Sequence, residues 1–190
     1  MKKLLATLLA LAMVCSLAAC GGEGGGETGS NGGDSTPAAD LQKIEMEIEA
    51  SGLEELSKVT LGVPKNMSIE ENDWNFVITD EKQNVSVEAY ICSDYNCYTI
   101  NQEASKEGDE GYGEQKFGDY DGYYYISPSG YYVEVNIYMG CVAEIDDVYL
   151  SFTIGALDGS SEDPMALFNL KDVQTILSSA VFTPAQEPAE

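Results

Sequence analysis

Short stretches of alternating apolar and polar residues set the frame. Ile44, Met46 and Ile48 alternate with Glu45, Glu47 and Glu49, the period of a half-buried strand; Leu41, Ile44 and Ile48 also fit a helical stripe. Gly52–Lys58 reads as a helical turn or loop. Val59–Val63 is an apolar strand stopped by Pro64, and Met67–Glu71 is a short edge-like piece. Trp74, Phe76 and Ile78 alternate with Asn75, Val77 and Thr79, and Val85, Val87, Ala89 and Ile91 alternate with Ser86, Glu88 and Tyr90. With Asp80–Gln83 as the turn, Thr79 pairs with Asn84. Ile78 then opposes Val85, Phe76 opposes Val87 and Trp74 opposes Ala89, all on one core face.

Residues 93–118 are polar and glycine-containing; a short helix is predicted over Tyr98–Lys106 and an acidic loop over the remainder. Tyr120–Ile126, a Ser-Pro-Ser-Gly turn and Tyr131–Met139 form a second hairpin, in which Ile126 pairs with Tyr131 and Tyr125 with Tyr132. Asp147–Gly155 places Val148, Leu150, Phe152 and Ile154 on one face. Asp163-Pro164 supplies an N-cap and a first-turn proline. From there Leu167, Leu170, Val173, Ile176, Leu177 and Ala180 form one helical stripe, followed by a short Val181-Phe182 strand. The expectation is an α+β fold over residues 41–184 as a single domain. An antiparallel sheet of about six or seven strands packs with a C-terminal helix and one or more shorter helices. Residues 185–190 form a flexible tail.

Composition narrows the chemistry. The chain has 190 residues, 9 basic against 33 acidic, a formal charge of −24 and no histidine; all the basic residues are lysine. Clustered cations for nucleic-acid phosphates are missing. So are a histidine-based triad, an imidazole metal site and a guanidinium clamp. No cofactor is expected and no catalytic residue is assigned, which points to a protein that is not an enzyme.

The N-terminus carries an address. Lys2 and Lys3 precede an apolar run from Leu4 to Val14, too short for a bilayer span of about 20 residues but suited to a signal peptide over residues 1–19. Leu17-Ala18-Ala19-Cys20 resembles the bacterial lipobox, which implies diacylglyceryl transfer to Cys20. Eight of the nineteen residues 21–39 are glycine and none is large and apolar, so residues 20–40 read as a lipidated cysteine and its tether, spanning roughly 25 Å root-mean-square. The expected location is the extracytoplasmic face of the bacterial cell membrane, held by lipid.

Three landmarks carry a further resemblance. VTLGVPKNM is a strand ending in Val-Pro, GDYDGYY lies within the strand pairs, and QTILSSAVF closes the domain. In this order they resemble the PsbP-like superfamily, including DcrB-type lipoproteins. The resemblance implies a PsbP-like sandwich and a binding or assembly role, and transfers no site residue.

The strongest local bias is tyrosine: twelve in all, six of them within Tyr120–Tyr132. Strand alternation puts Tyr123, Tyr125, Tyr132 and Tyr138 on one face with Glu134, and Tyr149 with them if its strand is adjacent. Rings with hydroxyls beside a carboxylate suit a glycan or peptide; the opposing expectation is that a helix or loop covers the same rings. Cys92 and Cys97 are a candidate disulfide and Cys141 is left over. Acids gather at Glu107, Asp109, Glu110, Glu114, Asp119 and Asp121, and at Glu144, Asp146 and Asp147. They lack EF-hand spacing, and no metal site is assigned. The sequence therefore predicts a surface-anchored, non-enzymatic binding or accessory lipoprotein. The alternatives are an assembly subunit contacting an envelope protein and, behind it, a carboxylate-based hydrolase.

Overall fold

A computed structural model describes residues 41–48, 57–94, 97–142, 146–160 and 163–184; at 93, 94, 97, 141, 142 and 146 it describes the backbone alone. The signal peptide, Cys20, the tether, most of Gly52–Lys58 and the 185–190 tail lie outside the described residues. The described part is α+β, with ten strands in two antiparallel sheets and three helices.

The strands are β1 (Leu41–Ile48), β2 (Ser57–Pro64), β3 (Ser68–Glu71), β4 (Phe76–Asp80), β5 (Val85–Asp94), β6 (Gly113–Phe117), β7 (Tyr120–Ile126), β8 (Tyr132–Val142), β9 (Asp146–Ala156) and β10 (Val181–Thr183). The helices are α1 (Cys97–Gly108), α2 (Pro164–Phe168) and α3 (Lys171–Ser178). One sheet has the order β1-β2-β10. The other has seven strands in the order β3-β4-β5-β9-β8-β7-β6. Its edges are short and carry charge, Glu70 and Glu71 on β3 and Glu114 and Lys116 on β6, which discourages pairing with another chain.

Period-two alternation gives the large sheet two unlike faces. On one, Ile78, Val85, Val87, Ala89, Val133, Val135, Ile137, Leu150, Phe152 and Ile154 are buried in a single core. The small sheet adds Ile44, Met46 and Ile48 from β1 and Val59, Leu61 and Val63 from β2, and the C-terminal helices add Phe168, Val173, Ile176 and Leu177. The small sheet and the two C-terminal helices thus share one core with this face of the large sheet. The Phe182 N–H donates to the Tyr120 hydroxyl at 3.0 Å and so joins the two sheets. A bulge between Tyr138 and Gly140, where Gly140 has φ +130°, inserts Met139 and keeps it in the core.

Several expectations need correction. Both hairpin registers are displaced by two residues: Phe76 faces Ala89 and Ile78 faces Val87 in the first, and Tyr125 faces Glu134 in the second. An even displacement leaves every side chain on its expected face. The cause in the first hairpin is Asp80, which ends β4 instead of opening the turn. Its carboxylate accepts from the Lys82 N–H at 2.8 Å, the Gln83 N–H at 3.3 Å and Gln83 Nε2 at 2.9 Å. Asn84, at φ +51°, then closes the turn. Trp74, expected in the core, precedes the strand and is 70% exposed, and Phe76 is half-buried.

The acidic loop expected after α1 contains strand β6. Gly118, at φ +61°, turns β6 into β7 so close to α3 that a Cβ there would sit 2.5 Å from the Ser178 carbonyl oxygen. The single C-terminal helix is two. Asp163 caps α2 by accepting from the Ala166 N–H, but Leu170 is extended at ψ 137° and breaks the stripe. Gln174 Nε2 donates to the Phe168 carbonyl across the break at 2.7 Å.

Candidate functional site

The opposite face of the large sheet is a grid of polar and aromatic side chains, because on that side the alternating positions of five strands are neither Val, Ile nor Leu except at Val77. Registers place them in cross-strand rows. Tyr125, Glu134, Thr153, Glu88 and Val77 form one row, and Tyr123, Asn136, Ser151 and Tyr90 form the next. Tyr138, Tyr149 and Cys92 form a third. The condition attached to Tyr149 is met: its strand adjoins β8 and its ring joins the tyrosine cluster.

Helix α1 roofs only part of this grid. Tyr98 sits with its ring centroid 5.3 Å from Tyr123, 5.2 Å from Tyr138 and 6.0 Å from Tyr149. Tyr123 is consequently fully buried and Tyr149 nearly so, although partial exposure was expected of Tyr123. Tyr125, Tyr132 and Tyr138 are half-buried. Tyr112, Tyr123 and Tyr125 form a stack with centroids 6.1 and 6.3 Å apart. Lys106 at the end of α1 lies 5.8 Å over the Tyr112 ring and 2.7 Å from Glu114, which also accepts from the Tyr112 hydroxyl at 2.7 Å. This corner is closed and structural.

Beyond Tyr98 the helix turns small and polar side chains toward the sheet, and a cleft of 430 Å³ opens beneath it. Its floor is Tyr90, Tyr125, Glu134, Asn136 and Ser151, and its roof includes Asn101, Ser105 and Asp109. Ser151 Oγ donates to Asn136 Oδ1 and fixes that amide. Ser105 hydrogen-bonds the Tyr125 oxygen and Ser151 that of Tyr90. Thr153 Oγ1 donates to both Glu134 oxygens, at 3.2 and 3.3 Å. Burial nevertheless pushes the Glu134 carboxyl above the usual carboxylate range, and the Glu88 charge adds to the effect. Burial, then the Glu134 charge, pushes the Tyr125 hydroxyl up to about 12. Burial likewise raises Tyr98 and Tyr90.

The cleft continues in both directions along the face. Trp74 packs edge-on to Tyr90 with centroids 6.1 Å apart. Tyr131, exposed, and Tyr132 border a further hollow of 320 Å³ shared with Glu88 and Thr153. Exposed or half-buried rings thus run from Trp74 through Tyr90 and Tyr125 to Tyr131 and Tyr132, with Glu88 and Glu134 among them. A larger hollow of 620 Å³ lies between β1 and the Glu71–Phe76 segment. Of its four acids, Glu45 and Glu47 hold Lys58 at 2.7 and 3.1 Å, while Glu71 and Asp73 line it beside Trp74.

Of the residues singled out from sequence, Tyr125 and Glu134 line the cleft, Tyr123 and Tyr149 form its inner wall, Tyr132 lies on the outer rim, and Tyr138 belongs to the cluster beneath Tyr98. Trp74, Glu88, Tyr90, Asn136, Ser151 and the α1 side chains were missed. The alternation of β5 already turned Glu88 and Tyr90 outward; the order of strands in the sheet, which decides their neighbours, has no local signal. Cys92 is half-buried against the tyrosine cluster, while the side chains of Cys97 and Cys141 lie outside the described residues, as do those of Glu144 and Asp146. Glu114 is tied to Lys106, and Asp121 to Lys116 at 3.0 Å; among the described residues no three acidic or thiol groups are placed to hold one metal ion. No described helix is long and apolar enough to cross a membrane. No family model, curated protein or solved structure matches this chain.

Proposed function

We propose that this protein is a lipid-anchored binding protein on the extracytoplasmic face of a bacterial membrane, with a PsbP-like sandwich as its scaffold and no catalysis of its own. The observation that carries the binding role is the cleft under α1: a concave, mainly polar recess with tyrosine rings on its floor and a few converging groups, Glu134, Asn136 and Ser105. Rings supply flat apolar area at low entropic cost, and the amide, hydroxyl and carboxylate supply orientation. The order of basic start, apolar run, Leu-Ala-Ala-Cys20 and glycine-rich tether supports the address. An assembly subunit would instead be served by a flat apolar patch, and this face is concave and polar.

The test is a glycan and peptide array probed with the full chain in neutral detergent, repeated with Tyr90→Ala and Tyr125→Ala. A ligand whose capture weakens by about 1–3 kcal/mol per ring, with the fold intact by circular dichroism, is the expected result. Capture indifferent to both rings rejects the site. Labelled palmitate should appear on Cys20 and vanish in Cys20→Ala; a wild type without lipid rejects the anchor.

A second reading has one specific observation behind it. Glu134 and Glu88 share a cross-strand row two strand spacings apart, roughly 9–10 Å at the backbone, and Glu134 is the more easily protonated for its surroundings. Inverting glycosidases use a raised acid and a second carboxylate at about 6.5–9.5 Å. Turnover of aryl glycosides that is abolished in both Glu88→Gln and Glu134→Gln would favour this hydrolase over the binding protein.

A further inference from the structure

We infer that the cleft beneath α1 receives a primary ammonium group, held between the Glu134 carboxylate and the rings of Tyr90 and Tyr125. The inference rests on the binding role proposed above and adds the charge of the ligand.

Three observations point the same way. First, the recess is lined by acids, rings and neutral polar groups without a lysine: Glu134 and Asp109 lie within it, and Glu88 is two positions from Glu134 along the same sheet row, beyond Thr153. Among the described residues, the ion pairs of Lys58, Lys106 and Lys116 lie elsewhere. A phosphate or carboxylate ligand would meet the like charges of Glu134 and Asp109 and no cation in the lining. Second, Glu134 is set beside two aromatic side chains. Tyr125 is its direct cross-strand partner and Tyr90 lies within reach of its charge. A cation placed there gains both the carboxylate and the negative ring faces. Third, a neutral ligand seated over Glu134 would remove water from a carboxylate already mostly withdrawn from it, without supplying a countercharge. An ammonium has three N–H donors, matching the carboxylate oxygens and the nearby hydroxyl oxygens of Ser105 and the tyrosines. At 430 Å³ the recess has room for one such group and the sugar ring or alkyl chain that bears it. The chain's −24 charge would draw cations toward it.

The same chemistry is offered by an amino sugar and by a lysyl side chain, so the experiment carries an arm for each. Calorimetry on the full chain in neutral detergent compares glucosamine with N-acetylglucosamine, and Nα-acetyl-lysinamide with its Nε-acetylated form. Tyrosine ring resonances locate the binding. The expected result is at least a tenfold preference for the free amine in one pair, and that pair identifies the source. Glu134→Gln should reduce the preference to twofold or less while binding of the acetylated form persists. The glutamine keeps an acceptor for Thr153, so the fold should hold. Glu88→Gln, on the rim, should reduce the preference two- to threefold and serves as the independent variant. Equal binding of amine and acetylated forms, or a preference that survives Glu134→Gln, overturns the inference. If an acetylated probe still shifts the Tyr90 and Tyr125 rings, the binding role stands without the ammonium. If neither these probes nor any array ligand shifts those rings, both fall.

Discussion

The two faces of the seven-stranded sheet are made from the same five strands, yet they are finished differently. One is aliphatic and sealed. Val87, Val135, Leu150 and Phe152 are fully buried in one core with residues of β1, β2, α2 and α3. The other is built from tyrosine, amide, hydroxyl and carboxylate groups and is roofed by a single helix resting mainly on one ring, Tyr98. Closing a face with aliphatic side chains maximises the area removed from water. Closing it with polar rings leaves gaps and costs desolvation, as Glu134 shows. The difference separates the part of the sheet that stabilises the fold from the part left available to a ligand.

The largest test of that separation is truncation on each side. Phe152→Ala, at a fully buried position of the aliphatic face, should cost about 3–5 kcal/mol. Tyr125→Ala, half-buried on the other face, should cost about 1 kcal/mol. Urea titration of the two variants checks this, and equal losses would mean that the tyrosine face is core like the other.

Next in size is the roof itself. Tyr98→Ala removes the ring that α1 shares with Tyr123, Tyr138 and Tyr149, at a cost of about 3 kcal/mol. Because α1 otherwise turns Asn101 and Ser105 to the sheet, the loss should be local. Amides of 98–108 should lose hydrogen-exchange protection while those of β5, β8 and β9 keep theirs. Uniform loss across both sets would show that the helix is integral to the core.

The same contrast explains what the sequence could and could not reveal. Wherever one face was aliphatic the alternation was legible: Ile44, Met46 and Ile48, or Leu150, Phe152 and Ile154, are buried as their spacing predicts. Faces survived even where both hairpin registers were displaced, because a two-residue displacement preserves parity. What escaped were features with no apolar period. Strand β6 reads GEQKF, an edge strand with one buried apolar side chain. Helix α1 was anticipated over Tyr98–Lys106 and runs over Cys97–Gly108, but the side it turns to the sheet was not: it buries Tyr98 and Ser105 and exposes Ile100, so no apolar stripe marks its inner face. The tyrosine face itself was legible within each strand, but the cleft depends on β5 lying beside β9 and on α1 crossing above. Those are contacts between segments about 60 residues apart.

A smaller effect belongs to the sealed side. Asp80 ties the β4–β5 turn to α3 through Asn66 and Gln83, whose amides also reach Asp172 at 2.9 and 3.1 Å. Asp80→Ala takes the acceptor from the Lys82 and Gln83 N–H groups and leaves the two amides with Asp172 alone, and should cost about 1–2 kcal/mol. Its carboxyl is held below the usual range, chiefly by the Gln83 side chain, against the opposing effect of its own burial. The stabilisation is therefore present above the unfolded pKa near 3.9 and disappears as pH falls through the lower folded value. The wild type and Asp80→Ala should converge in melting temperature only in that acid window; a gap independent of pH would remove the charge from the account.

The smallest effect has the opposite sign, and it bears most directly on the comparison. Glu134 is an ionisable group placed where folding withdraws it from water, so its folded pKa is raised. Below the unfolded pKa of about 4.3 both states carry the proton and the group contributes nothing to stability. As pH climbs from there through the raised folded value, the unfolded state ionises first and gains, and the native state loses ground. Glu134→Gln keeps the shape and an acceptor for Thr153 but carries no charge to desolvate. It should therefore melt higher than the wild type at pH 7, with the difference shrinking to nothing near pH 4. A lower melting temperature for the variant at pH 7 would show that Glu134 is a structural acid. On the binding role proposed above, a residue whose charge weakens the fold on this face is kept for what it binds. On the ammonium reading, adding the preferred amine should stabilise the wild type by mass action more than it stabilises Glu134→Gln, which narrows the gap between them as ligand is added; a gap that stays constant overturns that reading.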